Sequence, residues 1–506
     1  MAEYKAVAIS EFFEKNKHLL GFDSPTKALI TVLKEAVDNS LDACEEADIL
    51  PHIVVKIKNT EKDIFQLSVE DNGPGIEEKY VKDVFGKLLF GSKFKSLGEA
   101  GIQSRGQQGI GISASILYSQ LTTGEPVSIE SKVKDKIHYS CKLYIDTSSN
   151  MPVIEDEKKL ETVKDHGTKI TMKLKGLFRK TKGPYDYLKY TAIANPHAQI
   201  VFVNPDGKKV VFKRVADKLP KKPKKVAPHP HGVELGTLMK MLAKTKSKTV
   251  QAFLMNDFSK VGGIGAKDIC KLSKLDPHTR PNAITREMSS NLMNAMQQVK
   301  LQRPPTDCLS PIGEENIIKG LNKEYNADFV AACTRPVAVY NSIPFQVEVG
   351  LVYSKELPSD KQITLIRFAN KVPLFYQQSE CGIYKAVAKT QWKRYGLSQP
   401  SGSLPIGPMV ILVGVESVWV PFISEGKQAL ASYPEIIKEI KLGLLDIGRK
   451  LGSYLSAEQR KYAKERRRKI FSRYSEEVAQ SISNLTGKNK EYIMTLLKKE
   501  IMKRNE

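Results

Sequence analysis

The sequence Glu35-Ala-Val-Asp-Asn-Ser-Leu-Asp42 is the most informative part of this 506-residue chain. Glu35, Asn39 and Asp42 stand at i, i+4 and i+7, so a helix places their side chains along one stripe. This pattern suits a magnesium–nucleotide site, because an amide oxygen is a hard, uncharged metal ligand and a carboxylate can orient a water. Taken alone, the stripe also fits the solvated face of an ordinary helix.

A second polar motif follows a predicted strand, Phe65–Val69, and reads Glu70-Asp-Asn-Gly-Pro-Gly-Ile76. At the strand end, Asp71 can accept a hydrogen bond from an exocyclic amine, and Gly73 and Gly75 let the backbone approach a flat ring. Asp-Asn-Gly is also common in plain turns, so this motif alone leaves both interpretations open.

Glycines recur further along, in Gly91-Ser-Lys93 and in Arg105-Gly-Gln-Gln-Gly-Ile-Gly111, which leads into an apolar run. A glycine loop at a helix N-terminus can surround a phosphate with backbone N–H groups. The spacing matches neither the Walker nor the dinucleotide pattern. Later, His166-Gly-Thr168 precedes a predicted strand, Lys169–Leu174, where Thr168 can place a hydroxyl near the base-reading carboxylate.

In this order, the polar helix, the Asp-x-Gly-x-Gly turn, the glycine lid and the Gly-Thr strand resemble the Bergerat ATP-binding fold. DNA gyrase, the ninety-kilodalton heat-shock chaperones, sensor histidine kinases and MutL mismatch-repair proteins share this fold. The resemblance covers about the first 215 residues. It implies an α/β sandwich that binds ATP with Mg²⁺. Independently, Ser24-Pro25 predicts the start of the helix that carries Glu35, because serine caps a helix and proline suits its first turn.

The rest of the chain changes character several times. Asp217–Gly232 is rich in proline and lysine, which predicts a linker. Val233–Arg303 has helical spacing and a glycine turn, Val261–Lys267, that suits either a phosphate or a tight packing turn. A second mixed region contains Arg367-Phe-Ala-Asn-Lys-Val-Pro373, and charged helices follow from about Pro434. This succession is similar to the B subunits of archaeal topoisomerase VI.

That resemblance implies a multidomain α+β fold with a Bergerat-type ATPase domain, a small helical helix-two-turn-helix domain and an α/β transducer domain with long C-terminal helices. The expected boundaries are 1–215 for the ATP-binding domain, 216–232 for the linker, 233–306 for the helix-two-turn-helix domain, 307–432 for the transducer and 433–506 for a helical stalk that docks an A subunit.

The resemblance also implies roles for single residues. Glu35 corresponds to the general base, Asn39 to the magnesium ligand and Asp71 to the adenine-reading carboxylate, while Lys427 corresponds to a transducer lysine that reaches the terminal phosphate. Some relatives carry other lid residues, including a lysine at the position of the last lid serine, so backbone contacts are expected to matter most there. The lid is expected to comprise Ser92, Lys93, Gly106, Gln107, Gln108, Gly109, Ile110, Gly111, Ile112 and Ser113.

Composition supports an anionic partner. Lys and Arg number 79 against 56 acidic residues, a net charge of +23, which favours polyanions through long-range attraction and counterion release. A lysine-rich proteome would produce the same excess. The six cysteines are scattered and are expected to be reduced and mostly buried. We find no secretion signal and no membrane-length apolar run, so we expect a cytoplasmic protein.

The family resemblance, together with the positive charge, implies an ATP-driven clamp that dimerises on ATP binding, holds double-stranded DNA through phosphate contacts and works in an A2B2 heterotetramer. The family resemblance implies that a separate A subunit cuts the DNA, and none of the 19 tyrosines lies in a recognisable cleavage motif. A MutL-like mismatch-repair clamp and an ATP-dependent chaperone remain alternatives. The helical insert argues against the first, and the positive charge against the second.

Overall fold

The computed structural model describes residues 17, 20–87, 101–106, 109–146, 151–160, 165–302, 304–424 and 426–503. The described residues of Met1–Gln391 and Gln399–Ile447 form one compact unit, and those of Trp392–Ser398 and Gly448–Glu506 form another.

In the described part of the first unit, eight strands form a mixed sheet, covered by helices. The strands are β1 (His52–Glu61), β2 (Ile64–Glu70), β3 (Val127–Lys132), β4 (His138–Asp146), β5 (Met151–Leu160), β6 (Gly167–Lys175), β7 (Gln199–Val203) and β8 (Lys209–Phe212), in the order β5-β4-β3-β6-β2-β1-β7-β8. The helices are α1 (Pro25–Glu46), α2 (Glu78–Gly86), α3 (Gly111–Thr123) and α4 (Pro184–Ala194). Alternating burial along β1 and β3 shows that one face of this sheet lies against the core. The strands predicted in this region are confirmed.

The helix that carries the first motif begins where the sequence predicted. The Ser24 hydroxyl accepts from the Lys27 N–H at 3.4 Å, and Pro25 occupies the first helical turn, where its missing N–H costs nothing. Leu29, Leu33 and Leu41 are fully buried on this helix. Their packing fixes the rotation of α1, and therefore the direction of its polar residues.

A small helical bundle follows. It comprises α5 (Leu235–Lys244), α6 (Val250–Asp257), α7 (Gly263–Leu272) and α8 (Arg286–Gln298), which share one apolar core. The predicted glycine turn leads into α7, with Gly262 as its N-cap residue and the Ala266 N–H bonded to the Gly262 carbonyl at 2.9 Å. The helical character of this region is confirmed.

A second mixed sheet completes the first unit. The described strands are β9 (Phe329–Thr334), β10 (Ala338–Tyr340), β11 (Ile343–Tyr353), β12 (Thr364–Ala369), β13 (Val372–Pro373) and β14 (Met409–Ser417), with the order β10-β11-β14-β12-β13 and β9 paired with β11. Helices α9 (Glu314–Glu324) and α10 (Gly382–Ala388) accompany it. A Cβ added to Gly320 would lie 2.6 Å from the Ile193 carbonyl, so α9 packs closely on α4 of the first sheet.

The C-terminal residues form two helices, α11 (Pro434–Thr486) and α12 (Lys490–Lys503). The basic block Lys464–Lys469 lies inside α11, which continues through it without a break. Within the second unit, a Cβ on Gly448 would lie 2.5 Å from Tyr395 Cε2, so this tyrosine packs directly on the helix backbone. Among the described residues, we find no helix with the length and apolar character needed to cross a bilayer.

The predicted linker is tied down although it lacks long regular structure. Val226 pairs with Gly101, and Lys224 forms an ion pair of 2.6 Å with Asp307. The six cysteines, all of which lie in the described part, are buried thiols outside any disulfide, as the sequence predicted.

Candidate ATPase site

A cavity of about 740 Å³ lies beside α1. The residues of its wall are far apart in the chain. They include residues of α1, the end of β2, the start of β6, the start of α3 and two loops of the second sheet. Those of its lining residues that the sequence predicted are Glu35, Asn39, Asp71, Gly75, Gly106, Gly109, Ile110, Gly111, Ile112, Thr168 and Lys427.

Asp71 is a partly buried carboxylate that is held in one orientation. Its Oδ1 accepts from the Gly73 N–H at 2.9 Å and the Thr168 N–H at 3.1 Å, while its Oδ2 accepts from the Ser40 hydroxyl at 2.8 Å. Burial raises the pKa of Asp71, and these hydrogen bonds oppose the rise. A fixed carboxylate at a cavity wall can select a ring that offers an N–H donor.

The start of α3 lies against the Glu35 carboxylate. A Cβ added to Gly111 would collide with Glu35 Oε2, so a larger residue here would displace the Glu35 carboxylate. Gly75 has a φ of +74°, and a Cβ there would collide with the Lys132 carbonyl, so this turn requires glycine. The backbone N–H groups at the start of α3 thus lie close to Glu35, where a helix N-terminus favours an anion.

Asn39 is exposed on a helix whose neighbouring positions are mostly buried, and it lines the cavity one turn after Glu35. Its amide oxygen suits Mg²⁺. Among the described residues, no group of three or more acidic, histidine or cysteine side chains could hold a metal by itself. The position of Asn39 fits a magnesium ion that would take its other ligands from the phosphates of a nucleotide.

Lys427 reaches the same cavity from the second sheet region. It is 9% exposed, has a φ of 51° and donates its N–H to the Ser424 carbonyl at 3.0 Å, which defines a tight loop. Burial lowers the pKa of Lys427, the Glu35 carboxylate opposes that change, and Lys34 adds to it. A lysine held near Glu35 in a buried setting is poised to bind an anion.

Not every predicted residue faces the cavity. In the described part, Asp42 is not among the residues that line the cavity and forms an ion pair of 2.5 Å with Arg105, so its contact with a nucleotide stays a prediction. Gly73 is also not among the lining residues, and its N–H donates to the Asp71 carboxylate. The Ser113 hydroxyl is buried and donates to the Ile110 carbonyl at 3.2 Å. The predicted lid residues Ser92, Lys93, Gln107 and Gln108 lie outside the described residues.

Two buried polar residues were missed by the sequence analysis. Asp38 accepts from the Tyr187 hydroxyl at 3.3 Å, and burial raises its pKa to about 7, with Lys34 opposing that rise and Glu35 adding to it. Arg105 bonds Asp42, Glu45 and Asn195. Both residues lie inside sequences quoted above. Neither the helical spacing around Asp38 nor the glycine-rich loop around Arg105 indicated which distant residue each would contact.

Comparison with known proteins agrees with this geometry. Residues 25–177 match the family model of histidine kinase-, DNA gyrase B- and HSP90-like ATPases, and residues 304–468 match that of the topoisomerase VI B subunit, transducer. The chain is 47% identical over 483 residues to the B subunit of type 2 DNA topoisomerase 6 from Methanococcoides burtonii, covering 95% of this chain and 77% of the relative. The chain belongs to the topoisomerase VI B subunit family.

Other members of the family extend this likeness. The B subunit of type 2 DNA topoisomerase 6 from Thermococcus gammatolerans is 38% identical over 539 residues, covering 97% of this chain and 94% of the relative. The predicted fold class and family are thus confirmed. A solved gyrase B subunit from Myxococcus xanthus aligns with a TM-score of 0.42 at 10% identity, covering 88% of this chain and 95% of that chain.

Proposed function

We propose that this chain is the ATP-binding and ATP-hydrolysing subunit of a type IIB DNA topoisomerase. It relaxes supercoiled DNA by the ATP-gated passage of one duplex through a double-strand break, which a partner A subunit makes. One observation carries the proposal: Lys427, from the second sheet region, lines the same cavity as Glu35 and Asn39 of α1. Binding or hydrolysis of a nucleotide in this cavity therefore affects both α1 and the second sheet region.

Each of these cavity residues has a separate role in ATP hydrolysis. Asp71 reads the adenine, and the N–H groups at the start of α3 bind phosphate oxygens. Glu35 orients the attacking water and accepts its proton. Asn39 would hold Mg²⁺, which neutralises phosphate charge when it is bound.

Lys427 serves as the sensor of the terminal phosphate. Its charge is held in the loop that begins at Ser424, so binding of that phosphate draws this loop toward α1, and hydrolysis removes the attraction. Two copies of the chain close on ATP binding and hold a DNA segment, with the net charge of +23 favouring phosphate contacts that do not read the sequence. The domain boundaries given above and an A2B2 assembly are part of this proposal.

Relaxation of a supercoiled plasmid tests the proposal. The chain is mixed with the A subunit of a close relative, with and without ATP, and the topoisomers are separated on a gel. We expect relaxation that needs both proteins and ATP. A mismatch-repair clamp or a chaperone would hydrolyse ATP and leave the plasmid supercoiled, and that result would overturn the proposal.

A further inference from the structure

The segment Gly101–Gly106, which we call the anchor segment, lies just before the glycine turn at Gly109–Gly111 that lines the ATP cavity. It is bound at its start by a backbone pair. The N–H and carbonyl of Gly101 both pair with Val226, each at 2.8 Å. Val226 packs with Cys308 and Leu309 in a small apolar cluster. The anchor segment is therefore attached to the segment that enters the transducer region.

Gln103 makes the central contact of the anchor segment. Its side chain is 7% exposed, and its Nε2 donates to Glu416 Oε2 at 2.7 Å and to the Ser310 carbonyl at 3.2 Å. Its Oε1 accepts from the Ser310 N–H at 2.6 Å. Glu416 lies on β14 and Ser310 precedes α9. Both the nitrogen and the oxygen of the Gln103 amide are therefore hydrogen-bonded to the second sheet region.

The partners of Gln103 belong to a buried charged cluster. Glu416 and Glu348 are both fully buried, and Lys371 donates to the Ser310 hydroxyl at 3.0 Å. Burial raises the pKa of Glu416 to about 8, with the Glu348 carboxylate adding to the rise and Lys371 opposing it. Glu416 Oε1 has no hydrogen-bond partner among the described residues. Buried charged groups are costly, and they fix one geometry more strictly than apolar packing does.

The neighbours of Gln103 extend the connection in two directions. Asn370, at the turn between β12 and β13, donates from Nδ2 to the Ser104 carbonyl at 2.9 Å. Arg105 donates to Asp42 at 2.5 Å and to Glu45 at 2.6 Å, both on α1. Consecutive residues of the anchor segment thus hold the second sheet on one side and the helix that carries Glu35 on the other.

We propose that Gln103 is a positioning residue that couples the glycine turn at the ATP cavity to the transducer. Because directional bonds hold the anchor segment to β14 and to the β12–β13 turn, the anchor segment and the second sheet move as one body. The transducer therefore follows the state of this turn by a route that does not pass through Lys427. This inference rests on the proposed ATPase function of the cavity.

The variant Gln103→Met tests the proposal, because methionine keeps the length of the side chain and removes its hydrogen bonds. We expect unchanged affinity for a non-hydrolysable ATP analogue and continued ATP hydrolysis. The number of plasmid crossings removed per ATP hydrolysed, measured with the A subunit, should fall at least about fivefold. Gln346→Met is the matched control, since the Gln346 amide donates to the Arg335 carbonyl at 2.9 Å within the second sheet region.

Three further variants guard against a trivial loss of folding. Asn370 has a φ of 49°, so Asn370→Gly keeps the turn while removing the bond to the Ser104 carbonyl together with the two bonds of 2.9 Å to the Ser417 backbone. We expect the same fall in crossings removed per ATP. Gln103→Glu alone places two carboxylates together, and the exchanged pair Gln103→Glu with Glu416→Gln restores an amide–carboxylate contact. We expect the exchanged pair to recover most of the yield that the single change loses.

Unchanged yield per ATP in folded Gln103→Met or Asn370→Gly would overturn the coupling role. A failure of the exchanged pair to improve on Gln103→Glu would do the same. If the unaltered chain hydrolyses ATP but relaxes no plasmid with the A subunit, the proposed function itself fails, so the two failures are distinguishable.

Discussion

Asp38→Asn should stabilise the protein in a strongly pH-dependent way. The Asp38 side chain is buried beside Tyr187, and its pKa rises from an ordinary 3.8 to about 7, chiefly because burial disfavours the charged form. A tenfold change in proton affinity corresponds to about 1.4 kcal/mol, so keeping this carboxylate charged at high pH costs up to about 4 kcal/mol. Asparagine has the same shape, carries no charge and can keep the hydrogen bond with the Tyr187 hydroxyl.

The direction follows from comparing the folded and unfolded chains. Below pH 4 the carboxyl is protonated in both states, so the charge costs the folded protein nothing. Between pH 4 and about 7 the unfolded chain releases its proton while the folded protein retains it, so stability falls as pH rises. The stability gained by Asp38→Asn should therefore be small near pH 4, grow through this interval and remain constant above about pH 7.

Calorimetric melting at several pH values measures this difference. For a domain of the size expected for residues 1–215, about 4 kcal/mol corresponds to a rise of about 8 to 16 °C in the melting temperature at pH 8. The exposed Asp206, on the turn after β7, provides the control Asp206→Asn, which should show no comparable trend. A melting-temperature difference for Asp38→Asn that is equal at pH 4.5 and pH 8 would refute the reasoning.

Other predictions concern the cavity directly. Glu35→Ala should lower the rate of ATP hydrolysis at least about 100-fold while nucleotide-dependent dimerisation in gel filtration persists, and a normal hydrolysis rate would show that Glu35 is not the base. Lys427→Ala should slow hydrolysis and reduce plasmid relaxation per ATP, whereas Lys361→Ala at an exposed site should not; equal coupling in both would remove the proposed sensor. Gly111→Ala should displace the Glu35 carboxylate and lower hydrolysis at least about tenfold, whereas Gly236→Ala, which has open space around it, should leave the rate unchanged; a normal rate for Gly111→Ala would mean that this contact is dispensable. Cysteines at Gly101 and Val226 should form a disulfide that leaves ATP-driven relaxation intact, because a hydrogen-bonded strand pair has a suitable spacing; loss of relaxation on oxidation, restored by reduction, would show that this contact must open.

Local sequence predicted the elements that carry the site. Ser24 and Pro25 marked the start of α1, the alternating residues before Asp71 predicted β2, and the glycines before α3 predicted a turn at a helix start. Each of these signals acts over a few residues, through capping, alternation or φ preference, so it can be recognised without knowing what packs against it.

The same reasoning did not find the partners that residues meet across long stretches of the chain. Helical spacing placed Asp42 on the stripe of Glu35 and Asn39, but Arg105, 63 positions away, pairs with it. The proline- and lysine-rich composition around Val226 predicted a linker, and the segment is nevertheless held by a backbone pair to Gly101. Such contacts depend on which surfaces meet after folding, which periodicity does not encode.

The amino-acid sequence by itself thus determined the elements of an ATP site and their family, because glycine turns, helix caps and polar spacing act locally. Tertiary structure alone decided that Asp38 is buried beside Tyr187 and that Gln103 is hydrogen-bonded to Glu416 of β14. The reason is physical. Burial and long-range hydrogen bonds set the charge, the direction and the partner of a side chain, and both exist only after distant segments pack together.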